Sequence, residues 1–285
     1  MLRSYVFDLP VNRDIMFSDH KGRYKKRFEK QQRGLIVKIP FIKPFLEPDE
    51  EILLITTGYS LVNTLEQVMT AWVFIYLKRS LFVFTNKRIF HIPTTVRYGY
   101  RYSIAQILYS ESQSVALKGR TLVVQCGVCG HQDKFVGIRG KEKRKIRTLL
   151  EKIEFKGRNR PDSERAHLCP RCTKELTKGH YVCSNCHLEF KKKSWLRSLL
   201  PGVGYFYIRL PFLGIVNVIV ELALVGLLIS SYLKLDQNFE TGSLYLLLFG
   251  GLFLFEKIAT MYHSRHFIDE FIPEMQEVKP LSTLS

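Results

Sequence analysis

Two C-x-x-C pairs, Cys169-Pro-Arg-Cys172 and Cys183-Ser-Asn-Cys186, stand ten residues apart. Each such turn presents two sulfurs on one side, and two turns facing each other supply four thiolates in the tetrahedral arrangement of a structural zinc ion. The stretch from Thr173 to Val182 can run out and back as a hairpin through Lys178-Gly179. Four sulfurs close the coordination shell and leave no position for water or substrate, so the chemistry expected is structural rather than hydrolytic. The surrounding residues offer only Leu168, Leu176, Tyr181, Val182, Leu188 and Phe190 as a core. That is too little to fold without the metal, so binding and folding should be coupled. His167, His180 and His187 are surplus to a four-sulfur site. A redox role would need a surrounding βαβ fold, which this region lacks.

The third pair, Cys126-Gly-Val-Cys129, is followed by His131 and falls where a hairpin turn is expected. Three readings stand: a turn with incidental cysteines, a second metal site completed by His131 and one further ligand, or redox chemistry. Because all six cysteines lie in such pairs, the chain does not read as a secreted disulfide scaffold, and a reducing compartment suits it better. Asp8, Pro10, Arg13 and Asp14 break any apolar run of a secretory signal, so the N-terminal part is expected in the cytosol.

The elements that must hold these residues follow from pattern. Residues 1–46 pass through a basic run, Lys21 to Lys38, with Tyr24 and Phe28 interleaved, and no firm structure is assigned there. From 47 to 155, short runs rich in Val, Ile, Phe and Tyr alternate with polar breaks, which predicts a sheet. The runs are 52–56, 71–77, 81–84, 89–92, 121–125 and 134–138, with turns at Lys78-Arg79-Ser80 and Thr85-Asn86-Lys87-Arg88. Those charged breaks also exclude a membrane span through 68–92. Lys141 to Phe155 predicts an amphipathic helix, since Ile146, Leu149, Leu150 and Ile153 recur at helical spacing. Residues 156–166 carry Gly, Pro and charge and read as a linker before the ribbon at 167–190.

Two segments carry a resemblance. Pro48-Asp49-Glu50-Glu51-Ile52-Leu53 and Leu81-Phe82-Val83-Phe84-Thr85-Asn86-Lys87-Arg88-Ile89 resemble the opening segment and the hairpin of bacterial PH and GRAM-like domains. The resemblance covers about 110 residues. It implies antiparallel strands closed by a C-terminal helix, a bacterial source, and action through protein contacts as much as through lipid.

Pro211 to Leu233 and Ser243 to Tyr262 are each apolar enough and long enough to cross a hydrocarbon core of about 30 Å. They predict a two-helix transmembrane hairpin within a membrane segment at 191–262, followed by a tail at 263–285. Lys191, Lys192, Lys193, Arg197 and Arg209 precede the first span, and Lys257 and Arg265 end or follow the second. The loop between holds Lys234 against Asp236 and Glu240, so the positive-inside rule places both termini in the cytosol. The run Leu200-Pro201-Gly202-Val203-Gly204-Tyr205-Phe206-Tyr207 resembles the opening of TM2-like two-span domains, with Tyr205 where a polar residue often stands. Glu221 falls mid-span, where an ionisable group is costly and reads as a packing partner or a functional group.

The fold class expected is therefore multi-domain α+β: a PH-like antiparallel β domain with a C-terminal helix, a small zinc ribbon and a transmembrane hairpin. The formal charge of +17 lies almost wholly before residue 200, so that part should meet anionic partners. Lys25, Lys26, Arg27, Lys143, Arg144 and Arg147 are the candidates for contact with an anionic surface. The sequence has no G-x-S-x-G, Walker loop or H-E-x-x-H, and predicts a non-catalytic membrane-anchored adaptor that recognises a protein or a lipid headgroup, with self-association open to it. The alternative is a membrane-tethered nucleic-acid binder using the ribbon and basic patches.

Overall fold

The chain opens with a hairpin of two short strands, β1 (Ser4–Val6) and β2 (Leu9–Val11), closed by Phe7 and Asp8, both at positive φ. This computed structural model describes residues 4–60, 78–126, 132–155, 165–177, 179–192, 200, 202–235, 238–268 and 271–274. It forms two units, one ending at Glu189 and the other running from Phe190 to Glu274. After β2, Asn12 caps a single helical turn, α1 (Arg13–Met16), by accepting from the Ile15 N–H at 3.0 Å. α2 (Lys26–Ile36) turns Leu35 and Ile36 inward and leaves Lys26, Arg27 and Lys30 exposed. Its buried Gln32 donates to the Ile55 carbonyl at 2.8 Å and accepts from the Ile55 N–H at 2.9 Å. Both of that residue's backbone groups are thereby satisfied where the edge has no strand partner for them.

An antiparallel meander follows: β3 (Ile52–Tyr59), β4 (Arg79–Thr85), β5 (Arg88–Pro93) and β6 (Ile104–Leu108). A second, three-stranded sheet is made by β7 (Ser112–Lys118), β8 (Thr121–Cys126) and β9 (Gln132–Phe135), and α3 (Lys143–Leu150) comes next. β10 (Ala166–Leu168) then returns to pair antiparallel with β6, so the first sheet runs β1-β2-β3-β4-β5-β6-β10. Successive residues of a strand face opposite sides. Leu81 and Val83 of β4 join Leu9, Ile36, Phe90 and Leu168 in one core, whereas Phe82 and Phe84 join Val124, Phe135 and Ile146 in another. The central strands are covered on both faces, which is why they read as continuous apolar runs in the sequence.

Several expectations change here. The pairing of β2 with β3 carries the sheet across the boundary drawn at residue 46, and the pairing of β10 with β6 carries it into the ribbon. The turn expected at Lys78-Arg79-Ser80 is instead the buried Lys78 followed by the first two residues of β4. Strands β6 and β7 were not expected, because Gln106 and Ser114 interrupt their apolar pattern. The helix expected over 141–155 is shorter, beginning after a 3-10 turn at Gly140–Glu142 and ending at Leu150. The run at 71–77 lies outside the described residues.

Arg88 holds the junction of the meander. Its guanidinium donates to Glu50 (Nη2 to Oε2, 2.6 Å), to Gln106 (2.5 Å) and to the Phe45 carbonyl (3.1 Å), while Thr85 donates to the other Glu50 oxygen at 2.7 Å. Glu50 is wholly buried and Arg88 nearly so. Removing one partner of a buried pair strands the other charge in a low-dielectric interior.

In the second unit, α4 (Val203–Tyr207) precedes two long helices, α5 (Pro211–Lys234) and α6 (Phe239–Ile268). Both are long and apolar enough to cross a membrane, and they outrun the expected 211–233 and 243–262. Their apolar side chains are exposed, among them Ile219, Leu222, Leu247 and Leu254, unlike a buried core helix. Gly202, at φ 66°, ends the loop before α4; a Cβ there would stand 2.5 Å from the Gly214 carbonyl, so only glycine fits.

Arg88→Met is expected to destabilise the chain by about 3–5 kcal/mol. Denaturant unfolding of the detergent-solubilised protein measures it, and a loss below about 1 kcal/mol would show that Glu50 finds another partner.

Candidate metal centre

Two nearly identical turns bring the four cysteines together. In the first, the Cys169 N–H donates to the Lys174 carbonyl (2.8 Å) and the Thr173 N–H to the Cys169 carbonyl (2.9 Å). In the second, fourteen residues on, Cys183 donates to Leu188 (2.9 Å) and His187 to Cys183 (2.9 Å). Thr173 and His187 occupy matching positions and are both left-handed, at φ 62° and 54°. Matching bridges, Leu168 with Glu175 and Val182 with Glu189, frame each turn. The backbone folds back sharply just after each second cysteine, and this aims both sulfurs of a pair toward the same point.

Across the two turns, Cys169 Sγ lies 3.5 Å from Cys186 Sγ and Cys172 Sγ 3.6 Å from Cys183 Sγ, with all four sulfurs within 4.8 Å of one another. These separations are far longer than a disulfide bond, about 2.05 Å, and close to the edge of about 3.8 Å of a tetrahedron of sulfurs 2.3 Å from a central ion. The cysteines are free thiols. The first of each pair is buried and the second half-buried.

The local electrostatics divide the thiols. Burial pushes Cys169 and Cys186 up. Burial also opposes ionisation of Cys172, but the Lys174 N–H, Asn185 and the neighbouring thiols overcome it and bring that group down to about 7. Four thiolates at these distances repel by about 4–5 kcal/mol per close pair even at an effective dielectric of 20. A divalent cation at the centre removes that conflict. The all-sulfur tetrahedral donor set fits zinc or iron, and its closed shell offers a substrate no open position.

The ribbon is joined to the sheet by more than β10. Gln106, held by Arg88, donates to Glu175 at 2.7 Å, and Leu168 sits in the core shared with β4 and β5. Tyr100, partly buried and stacked on Phe41 with ring centroids 3.6 Å apart, has its phenol pushed up by the burial of its hydroxyl and then by Cys169.

The other expected site residues fall into three groups. Cys126 ends β8 opposite Ser112, whereas Cys129 and His131 lie outside the described residues. Lys25, Lys26 and Arg27 are exposed at the start of α2, and Arg144 and Arg147 are exposed on α3, with Lys143 half-buried. The two helices meet: Gln31 donates to Glu142, and Lys145 lies 5.2 Å from the centre of the Phe28 ring. Arg147 commits its Nε to the Leu117 carbonyl at 3.2 Å.

Glu221 is buried between α5 and α6 against Lys257, 2.6 Å from its Oε2, and it also accepts from Asn217. Thr260 donates to Glu256 at 2.6 Å and lies 3.5 Å from Asn217 Oδ1. Lys257, read from the sequence as a flanking cation, is thus the partner of Glu221. Only its place near the end of an apolar run had spoken for the flanking role.

No family model matches the chain, and no curated protein matches it.

Metal analysis of the purified chain is expected to return one zinc per chain, lost in Cys183→Ser together with thermal stability and kept in His180→Ala. A zinc content unchanged by Cys183→Ser would place the metal elsewhere. For the helix pair, Glu221→Leu should destabilise by about 3–5 kcal/mol in detergent unfolding, and Glu221→Lys combined with Lys257→Glu should recover most of it. Failure of the double variant to recover would show that the pair is not the source of the stability.

Proposed function

We propose that this chain is a non-catalytic, membrane-anchored adaptor whose PH-like domain and zinc ribbon together recognise a partner at the cytosolic face of a bacterial membrane. The partner is a protein or an anionic lipid headgroup. Four antiparallel strands followed by three more and a closing helix support the PH-like reading of residues 52–150. The exposed apolar faces of α5 and α6 support insertion as a hairpin, and the lysines and arginines before α5 support cytosolic termini.

The observation that carries the proposal is the pairing of β10 with β6. It makes the ribbon part of the same sheet, so metal, sheet and ribbon surface form one rigid recognition unit rather than modules on a string. The approach of α2 to α3 at the Gln31–Glu142 contact brings together two helices that each carry exposed lysines or arginines, and each such residue near an anionic membrane contributes about 1 kcal/mol.

Affinity capture of the full-length protein from its native membrane tests the reading. A defined partner is expected with the wild type and should be lost in Cys169→Ser. Recovery of the same partner by that variant would remove the ribbon from recognition.

A further inference from the structure

A cleft of about 710 Å³ opens between the N-terminal segment carrying α1 and the outer side of α3. Its floor is apolar, made by Leu53, Tyr109 and Leu149, with Ile15 and Ile153 nearer the mouth. Pockets of this size, apolar with a few placed charges, are the usual form of small-molecule sites. The two walls differ in charge. The α3 side carries Lys145 and Lys152, with Glu154 at its far end, and the opposite side carries Asp14, Asp19 and Glu51.

Lys145 is the most constrained of these groups. It is 4% exposed, and its ammonium donates to the Met16 and Ser18 carbonyls at 2.8 and 2.7 Å. It makes no ion pair among the described residues, and burial holds it down to about 8, with Glu142 and Asp19 acting in the other direction. Two of its three N–H donors are used by these carbonyls, and the ammonium also lies 5.2 Å from the centre of the Phe28 ring, so its charge rather than a free hydrogen bond is what it offers the cleft. Across the cleft, Asn12 donates to one oxygen of Glu51 at 3.3 Å, Asp19 is tied to the N–H groups of Lys21 and Arg23, and Asp14 is exposed on α1.

The chemistry of the walls selects the ligand. A purely anionic amphiphile would meet four carboxylates, three of them on the side opposite α3, a purely cationic one would meet two lysines, and a neutral one would strip water from both without replacing it. We propose that the cleft binds a short apolar peptide or amino acid with both ends free, its ammonium toward Asp14 and Glu51, its carboxylate toward Lys145 and Lys152, and its aliphatic side chains on the floor. This site is independent of the adaptor reading and of the metal centre.

Calorimetric titration of the full-length protein in detergent tests it with leucyl-leucine, N-acetyl-leucyl-leucine, which lacks the ammonium, and leucyl-leucinamide, which lacks the carboxylate. Leucyl-leucine is expected to saturate the protein at millimolar concentration or below, and each capped form should bind about tenfold more weakly. Asp14→Lys and Lys152→Glu exchange single exposed charges. Asp14→Lys should weaken leucyl-leucine and leucyl-leucinamide about tenfold but not N-acetyl-leucyl-leucine. Lys152→Glu should weaken leucyl-leucine and N-acetyl-leucyl-leucine but not leucyl-leucinamide. Equal binding of all three ligands, no saturable binding of leucyl-leucine, or indifference of leucyl-leucine to both substitutions would overturn the proposal.

Discussion

Arg88 and Glu50 form an ion pair sealed from water, and much of the first unit is arranged around it. The guanidinium reaches the carbonyl of Phe45 and the carboxylate of Glu50, both in the stretch that leads into β3, and the amide of Gln106 on β6, so it ties two segments far apart in sequence. Burying two charges is favourable only when every remaining donor and acceptor is met, and here Thr85 meets the second carboxylate oxygen. The pair therefore fixes geometry more than it adds stability. It sets where the strands of the meander turn, and through Gln106 and Glu175 it sets where the ribbon lies.

The ribbon adds a second constraint of the same kind. Four sulfurs converge because two equivalent turns repeat one backbone device, with a left-handed residue after each second cysteine. Such a residue is strained when it is not glycine, and Thr173 and His187 accept that strain for the sake of aiming the sulfurs. A central metal rewards the arrangement at both turns together. Because Leu168 is shared with the main core, a metal held by the four sulfurs would be coupled to the sheet as well as to the ribbon.

Between α5 and α6 the same logic recurs in apolar surroundings. Glu221 and Lys257 neutralise each other, and Asn217 supplies a further hydrogen bond to the carboxylate. An ionisable group that would be costly alone becomes a means of fixing helix register when its partner stands opposite. Exposed apolar residues are frequent along the described parts of both helices, so it is the polar contacts that define how the helices face each other.

The spacing of Cys169, Cys172, Cys183 and Cys186 was enough to identify a four-cysteine cluster that could hold a metal ion, because a C-x-x-C turn fixes its two sulfurs through local geometry alone. The apolar runs of β4 and β5 and the two long helices were legible for a similar reason: burial on both faces, or a length that spans hydrocarbon, leaves an unbroken mark on neighbouring residues. Contacts between distant segments leave no such mark. Nothing local to Gln32 indicates that it completes the backbone of Ile55, nothing near residue 166 indicates a strand beside β6, and Lys257 looks the same whether it meets solvent or Glu221. The sequence by itself determined which residues could ligate, span or pair. Only the tertiary structure decided which of them meet, because a hydrogen bond or ion pair depends on positions in space that local preference does not encode.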